Sequence, residues 1–219
     1  HIKTEYIDKA DEKRILHLHF QLDDNLSLSE KVKERYKRMF SGVFFQRYIL
    51  GQWVRAEGII FDMFNQDKHT VSELPKMRQR WVTVDYGTTN PTVFLLIGLG
   101  NDENLYVIDE WRWDSKEQGR QMTDKEYSRA MKKWLTGHEL IPSYIFVDPS
   151  AVSFMLQLNR DGFRRVTAAN NTVDDGIRVV SSLLGANKLF IHKRCEGLIK
   201  EMHAYVWDEK AQDRGEDKP

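Results

Sequence analysis

A chain of 219 residues can form one large domain or a domain with an appendage, and either can bury a core. With 41% hydrophobic and 11% aromatic residues and no apolar run near the roughly 18 residues that cross a bilayer, the composition excludes a disordered chain and a membrane-embedded one. Lys+Arg and Asp+Glu both number 33, so net charge predicts no general affinity for polyanions, and any nucleic-acid contact must come from local patches.

The single cysteine, Cys195, leaves no partner for an internal disulfide and fits a reducing compartment. His1 to Ala10 are polar and lack the apolar stretch of a signal peptide. Ser27 and Glu30 have capping-box spacing, and Val32, Tyr36, Met39 and Phe40 recur at helical intervals up to Gly42, which predicts an amphipathic helix. Val43 to Leu50, closed by Gly51, reads as a second short helix. Trp53 to Phe64 reads as extended, with a kink permitted at Gly58, and the polar stretch from Asn65 to Gln79 as a loop or linker. A boundary after residue 57 separates a helical linker segment, 1–57, from a domain spanning 58–219.

From Arg80 the pattern becomes regular. Trp81 to Asp85 forms a strand, Gly87-Thr88-Thr89-Asn90 a turn, Thr92 to Leu99 a second strand, and Leu105 to Trp113 a third. Thr123 and Glu126 repeat the capping-box spacing before a helix whose Tyr127, Ala130, Met131, Trp134 and Leu135 share one face, ending at Gly137. Tyr144 to Asp148 is a short apolar strand of the kind buried on both faces. Helix Ala151 to Arg160, strand Phe163 to Ala168, helix Val173 to Leu184, strand Lys188 to Ile191 and helix Cys195 to Tyr205 then alternate. Three antiparallel strands followed by alternating helix and strand is the order of the ribonuclease H-like fold, an α/β mixed sheet with helices on both faces. The charged tail from Trp207 to Pro219 reads as a solvated end.

Two aspartates close predicted strands: Asp85 after Trp-Val-Thr-Val and Asp148 after Tyr-Ile-Phe-Val. An unpaired carboxylate at the mouth of an apolar strand costs several kcal/mol by rough estimate, so it calls for a cation, a donor network or water. If the two strands are parallel neighbours, their carboxyl ends coincide at the switch point of the sheet. A hard divalent cation then resolves the repulsion of the pair. The chemistry such a pair serves is phosphodiester hydrolysis with two Mg²⁺ or Mn²⁺ ions about 4 Å apart. The bland alternative is that both are ordinary strand-end residues bonded to neighbouring turns.

Trp81-Val82-Thr83-Val84-Asp85-Tyr86-Gly87 with Asn90-Pro91-Thr92 resembles the first acidic motif of phage terminase nuclease domains, and Tyr144 to Ser150, with its Asp-Pro-Ser step, is similar to the second. His19-Phe20, Asp24-Asn25-Leu26 and Gly51-Gln52-Trp53 to Gly58 resemble the junction between that family's ATPase and nuclease parts. The resemblance implies a ribonuclease H-like endonuclease with Asp85 and Asp148 as metal ligands and double-stranded DNA as substrate. It also implies a third acidic ligand beyond Pro219, just after an Asp-Lys-Pro stretch such as Asp217-Lys218-Pro219. Asp208, Asp213 and Asp217 do not match that motif. No Gly-x-x-x-x-Gly-Lys-Ser/Thr loop occurs, so the resemblance places the ATPase motor outside this chain. The implied partners are the motor domain, the portal and the terminase small subunit, with no membrane, in the host cytoplasm. A Holliday-junction resolvase or integrase-like enzyme on the same fold, or a noncatalytic DNA or portal docking module, are the alternatives.

Among lesser candidates, Glu110 ends the third strand, where simple alternation places it on the face of Ile108. It could face the two aspartates or the solvent. His17 and His19 share a face of a short predicted strand without a completing ligand. His192 and His203 flank the last helix and could approach metals or DNA. Lys76, Arg78 and Arg80, Arg164 and Arg165, Lys188, and Lys193 with Arg194 could contact phosphates without reading sequence. Trp111, Trp113, Trp134 and Trp207 read as packing residues.

Overall fold

The computed structural model describes residues 3–54, 58–87, 90–138 and 141–208. The chain divides into two compact units, one of His1–Phe64, Asp174–Ala186 and Met202–Pro219, the other of Asn65–Val173 and Asn187–Glu201.

The second unit holds a seven-stranded sheet of β1 (Thr70–Val71), β2 (Met77–Asp85), β3 (Thr92–Gly100), β4 (Leu105–Trp113), β5 (Tyr144–Val147), β6 (Val166–Ala168) and β7 (Leu189–His192). Its spatial order is β1-β7-β4-β3-β2-β5-β6. β2, β3 and β4 form an antiparallel meander. β5 joins β2 and β7 joins β4 in parallel, and β6 and β1 extend the two sides, also in parallel. This is the mixed sheet of the ribonuclease H-like fold that the order of elements predicts.

Strict alternation of burial along β3 marks it as a central strand with one dry face. On that face Val82, Val84, Phe94, Leu96, Ile145 and Val147 pack against helices α4 (Asp124–Gly137) and α5 (Val152–Arg160), which contribute Tyr127, Met131, Leu135, Phe154 and Leu158. Fully burying each such side chain stabilises the fold by about 1.5–3 kcal/mol. α4 begins with the predicted capping box: the Thr123 hydroxyl accepts from the Glu126 N–H at 3.3 Å, and the Glu126 carboxylate accepts from the Thr123 N–H at 2.8 Å.

The polar stretch expected to be a loop before β2 contains structure. Helix α3 (Gln66–His69) is capped by Asn65, and β1 follows it directly. His69 is buried, and its Nδ1 accepts the Asn65 N–H at 3.0 Å. These elements have no hydrophobic period. They form because Thr70 and Val71 pair with Ile191 and His192, far along the chain.

In the first unit, the N-cap of α1 (Glu30–Met39) is Ser29 rather than the predicted Ser27, whose hydroxyl instead donates to Asn25 Oδ1 at 2.6 Å in a local turn. α2 (Gly42–Tyr48) follows the predicted second helix, and Phe44 packs edge-on against the buried Trp207 with ring centroids 6.5 Å apart. Of the segment Trp53 to Phe64, expected to be extended, residues 55–57 lie outside the described ones and the rest forms no strand. Among the described residues it pairs through one bridge, Ile59 with Val206, and then turns. Helix α6 (Val173–Gly185) belongs almost wholly to this unit, and α7 (Glu196–Ala204) carries residues of both. His17 and His19 are exposed and lie on no strand. Asp213 and Asp217 lie outside the described residues, as do Thr88 and Thr89 of the predicted turn.

Candidate active site

The parallel register of β2 and β5 pairs Trp81 with Tyr144 and continues to Val84 with Val147, so Asp85 and Asp148 occupy the next rung. The Asp148 N–H donates to the Val84 carbonyl at 3.2 Å, which carries the ladder to that point. Neighbouring strands lie about 4.8 Å apart, and alternation turns both carboxylates away from the dry face that holds Val84 and Val147. The parallel-neighbour condition set by the sequence is met.

The local sequence fixes each backbone. After Asp85, the Tyr86 hydroxyl donates to Asp124 Oδ1 at 2.5 Å, and the ring stacks on Phe154 with centroids 5.1 Å apart, which ties the strand end to α4 and α5. Burial and the Asp124 carboxylate raise the Tyr86 phenol well above its ordinary pKa, so it stays a proton donor. Gly87 is required for space: a Cβ there would sit 2.1 Å from the Asn90 carbonyl and 2.6 Å from that of Pro91. After Asp148, Pro149 has no N–H, and the Ser150 N–H donates to Asp148 Oδ1 at 2.7 Å. The other Asp148 oxygen has no protein donor among the described residues.

Asp85 is open to solvent on one side, yet its carboxyl is raised above its ordinary pKa. The causes are partial desolvation first, then the negative charges of Asp148 and Glu201; Arg112 acts in the opposite direction. Glu201, on α7, was not legible as a site residue. Helical position alone does not reveal that it approaches a strand end more than a hundred residues earlier.

Glu110 departs from simple alternation. A β-bulge shifts the register so that Leu96 faces Asp109 while Ile97 faces Val107. Ile108 and Asp109 therefore both serve the α4 side, where Asp109 Oδ2 accepts the Trp134 indole N–H at 2.9 Å and meets His138 Nε2 at 2.6 Å. Glu110 turns to the opposite face, the one that carries Asp85. There its Oε2 accepts the Leu198 N–H at 3.0 Å, and its Oε1 is buried without a hydrogen-bond partner. At Gly197 a Cβ would lie 2.3 Å from that oxygen, so a larger residue there would displace the end of the Glu110 side chain. Glu110 thus shares a face with the aspartates and is engaged by the start of α7.

His192 is buried and locally committed, with Nε2 at 3.0 Å from the Ser72 carbonyl and Nδ1 accepting from the Arg194 backbone and side chain. His203 packs edge-on against Phe64. Lys76, Arg78 and Arg80 sit at the start of β2, the opposite end from Asp85. Arg78 is about 23 Å from Asp85 along the strand, too far to share a phosphate with it. Arg164 and Arg165 precede β6, and Lys188 precedes β7, on that same far rim. Lys193 and Arg194 follow β7 and lie on the carboxyl side. The tryptophans pack as expected, with Trp111 stacked on Phe94 at 4.5 Å.

Among the described residues no three His, Cys, Asp or Glu side chains form a ready-made metal group. Two carboxylates do suit Mg²⁺ or Mn²⁺, since Mg²⁺ keeps several waters and is held by one or two carboxylates together with substrate phosphates. The crowded negative charge at Asp85 is the kind that a cation relieves.

Over its whole length the chain aligns with the large terminase of a thermophilic bacteriophage at 49% identity and a TM-score of 0.85, covering 55% of that chain. The nuclease domain of the phage P22 large terminase aligns with 70% of this chain and 81% of its own, at 17% identity and a TM-score of 0.57. The phage SPP1 large terminase nuclease domain with bound Mn aligns with 74% of this chain and 88% of its own, at 16% identity and a TM-score of 0.50. The last two likenesses concern the fold alone. No family model matches, and no curated protein does. The chain spans about half the length of the thermophilic phage's terminase. Sharing 49% of its residues with that protein from end to end, and the mixed sheet with terminase nuclease domains, the chain belongs to the bacteriophage large terminases, in the region of their nuclease fold.

Proposed function

We propose that the chain is a divalent-metal-dependent endonuclease that hydrolyses double-stranded DNA during viral genome packaging. The observation that carries this reading is the placement of Asp85 and Asp148 on one rung at the carboxyl rim of two parallel strands. These two residues would hold Mg²⁺ or Mn²⁺; further ligands would come from water, from substrate phosphate and from an acidic residue beyond Pro219. Bound ions of this kind lower the pKa of an attacking water and stabilise the leaving 3′ oxygen. The manganese in the phage SPP1 nuclease domain supports that choice of metal.

The chain's own residues position the acids. The Ser150 N–H fixes one Asp148 oxygen, which leaves the other to a ligand. Tyr86 and Gly87 hold the end of β2 against α4 and α5, so that Asp85 is presented at a fixed rung. Chemistry directed at phosphate gives little sequence preference. Restraint of cutting then falls to the rest of the packaging machine, namely the ATPase motor of the full protein, the portal and the small subunit, in the host cytoplasm.

Conversion of supercoiled plasmid with Mn²⁺ tests the reading. Asp85→Ala and Asp148→Ala lower cutting about a hundredfold or more. Equal cutting by both variants and the parent chain would refute it, and a parallel measurement on a chain extended past Pro219 separates a missing ligand from a wrong assignment.

A further inference from the structure

β2, β3 and β4 place Asp85, Val93 and Arg112 in a single cross-strand row, since Asp85 pairs with Val93 and Val93 with Arg112. Directly opposed residues of antiparallel strands point to the same face, so Arg112 stands on the carboxylate face two strands from Asp85, about 10 Å away. Its guanidinium holds Glu201 Oε1 at 2.6 Å and lies 3.8 Å from the buried Glu110 Oε1. The Arg112 side chain is 34% exposed and that of Glu201 57% exposed, so this ion pair faces solvent and can exchange.

We infer that Arg112 is a phosphate-binding residue of the nuclease face, and that the Glu201 carboxylate occupies its guanidinium as an internal stand-in for the DNA backbone until DNA arrives. The inference rests on the nuclease reading for what Asp85 does and adds how the duplex is seated beside it. A strand whose scissile phosphate lies at Asp85 and Asp148 passes a neighbouring phosphate over β4, where the planar fork of Arg112 offers two parallel N–H donors. Glu201 competes for the same donors while adding negative charge beside Asp85. Release of Glu201 by an incoming phosphate therefore exchanges one carboxylate for one phosphate at the guanidinium. The basic residues at the start of β2 cannot do this, because they stand on the opposite rim.

The test is affinity of the whole chain for a short duplex, by fluorescence anisotropy across a salt series with Ca²⁺ in place of Mg²⁺ so that no strand is cut. Arg112→Gln weakens binding about five- to tenfold and lowers the slope of log affinity against log salt by about 1. Glu201→Gln acts in the opposite sense and tightens binding about two- to fivefold, the worth of an exposed ion pair released from competition. Arg120→Gln, which loses the same charge from an exposed Arg–Glu pair on the α4 side, changes neither quantity appreciably. Equal losses for Arg112→Gln and Arg120→Gln, or weaker binding by Glu201→Gln, overturn the inference. A lower Tm for Arg112→Gln with unchanged affinity and slope also overturns it, since that assigns the pair to the fold alone. Undiminished plasmid cutting by Asp85→Ala would instead remove the nuclease reading and leave these binding measurements to decide Arg112 separately.

Discussion

Asp85→Asn separates an acid held for a ligand from an acid held for the fold. The substitution keeps size and hydrogen-bonding shape and removes one charge from the rung shared with Asp148. Two unit charges about 5 Å apart repel by about 1 kcal/mol in water and by about 3 kcal/mol at an effective dielectric constant near 20. Asp85 is open to solvent on one side, so the lower figure applies, and about 1 kcal/mol moves the midpoint of a chain this size by about 2–4 °C. In EDTA at neutral pH, Asp85→Asn therefore melts higher than the parent chain. The folded carboxyl keeps its proton to higher pH than the unfolded one. The destabilisation is accordingly absent in acid, sets in as pH rises from the ordinary value of 3.8 through the raised folded value, and is complete above it. The gap between the two melting curves opens over that window. Saturating Mn²⁺ reverses the order, because only the parent chain gains binding stability, about 2.7 kcal/mol when the free ion stands at a hundred times Kd. Differential scanning fluorimetry across pH, with and without Mn²⁺, measures all of this. A lower midpoint for Asp85→Asn in EDTA at neutral pH would refute the reasoning, since it would mean that local donors satisfy the carboxylate.

Three further outcomes follow from the geometry. Asp148→Asn retains an acceptor for the Ser150 N–H and leaves stability within about 0.5 kcal/mol of the parent, whereas Asp148→Ala loses the turn bond and about 1 kcal/mol more by urea denaturation; equal losses would show that the bond does not hold the turn. Gly87→Ala forces a Cβ onto the Asn90 and Pro91 carbonyls, costs about 1–3 kcal/mol and lowers plasmid cutting with it, while a neutral effect would mean that the turn opens freely. Glu110→Gln leaves Mn²⁺ affinity by titration calorimetry unchanged if the residue serves α7 alone, and a loss of about 10–100-fold would make it part of the metal site.

Much of the second unit was readable before folding. β3, β4, α4 and α5 carry apolar periods and caps that local physics imposes, so their bounds agree with the predicted ones within a residue or two. α3 and β1 were hidden, because two residues with no apolar period become a strand only when β7 supplies the partner. The bulge at Ile108, opposite Leu96 and Ile97, was equally hidden: one inserted residue moved Glu110 to the opposite face from the one alternation gave it, and nothing in Val-Ile-Asp-Glu announces which residue is extra.

The sequence alone determined the fold class and the strand ends that carry Asp85 and Asp148, since hydrophobic period and turn chemistry act between residues close in the chain, while the two acidic motifs came from the family resemblance. Only the tertiary structure decided that Arg112 and Glu201 stand beside Asp85, and that the expected basic patch of β2 lies on the far rim. Strand register and the approach of a helix to a sheet are set by contacts between distant segments, and no short-range pattern encodes them.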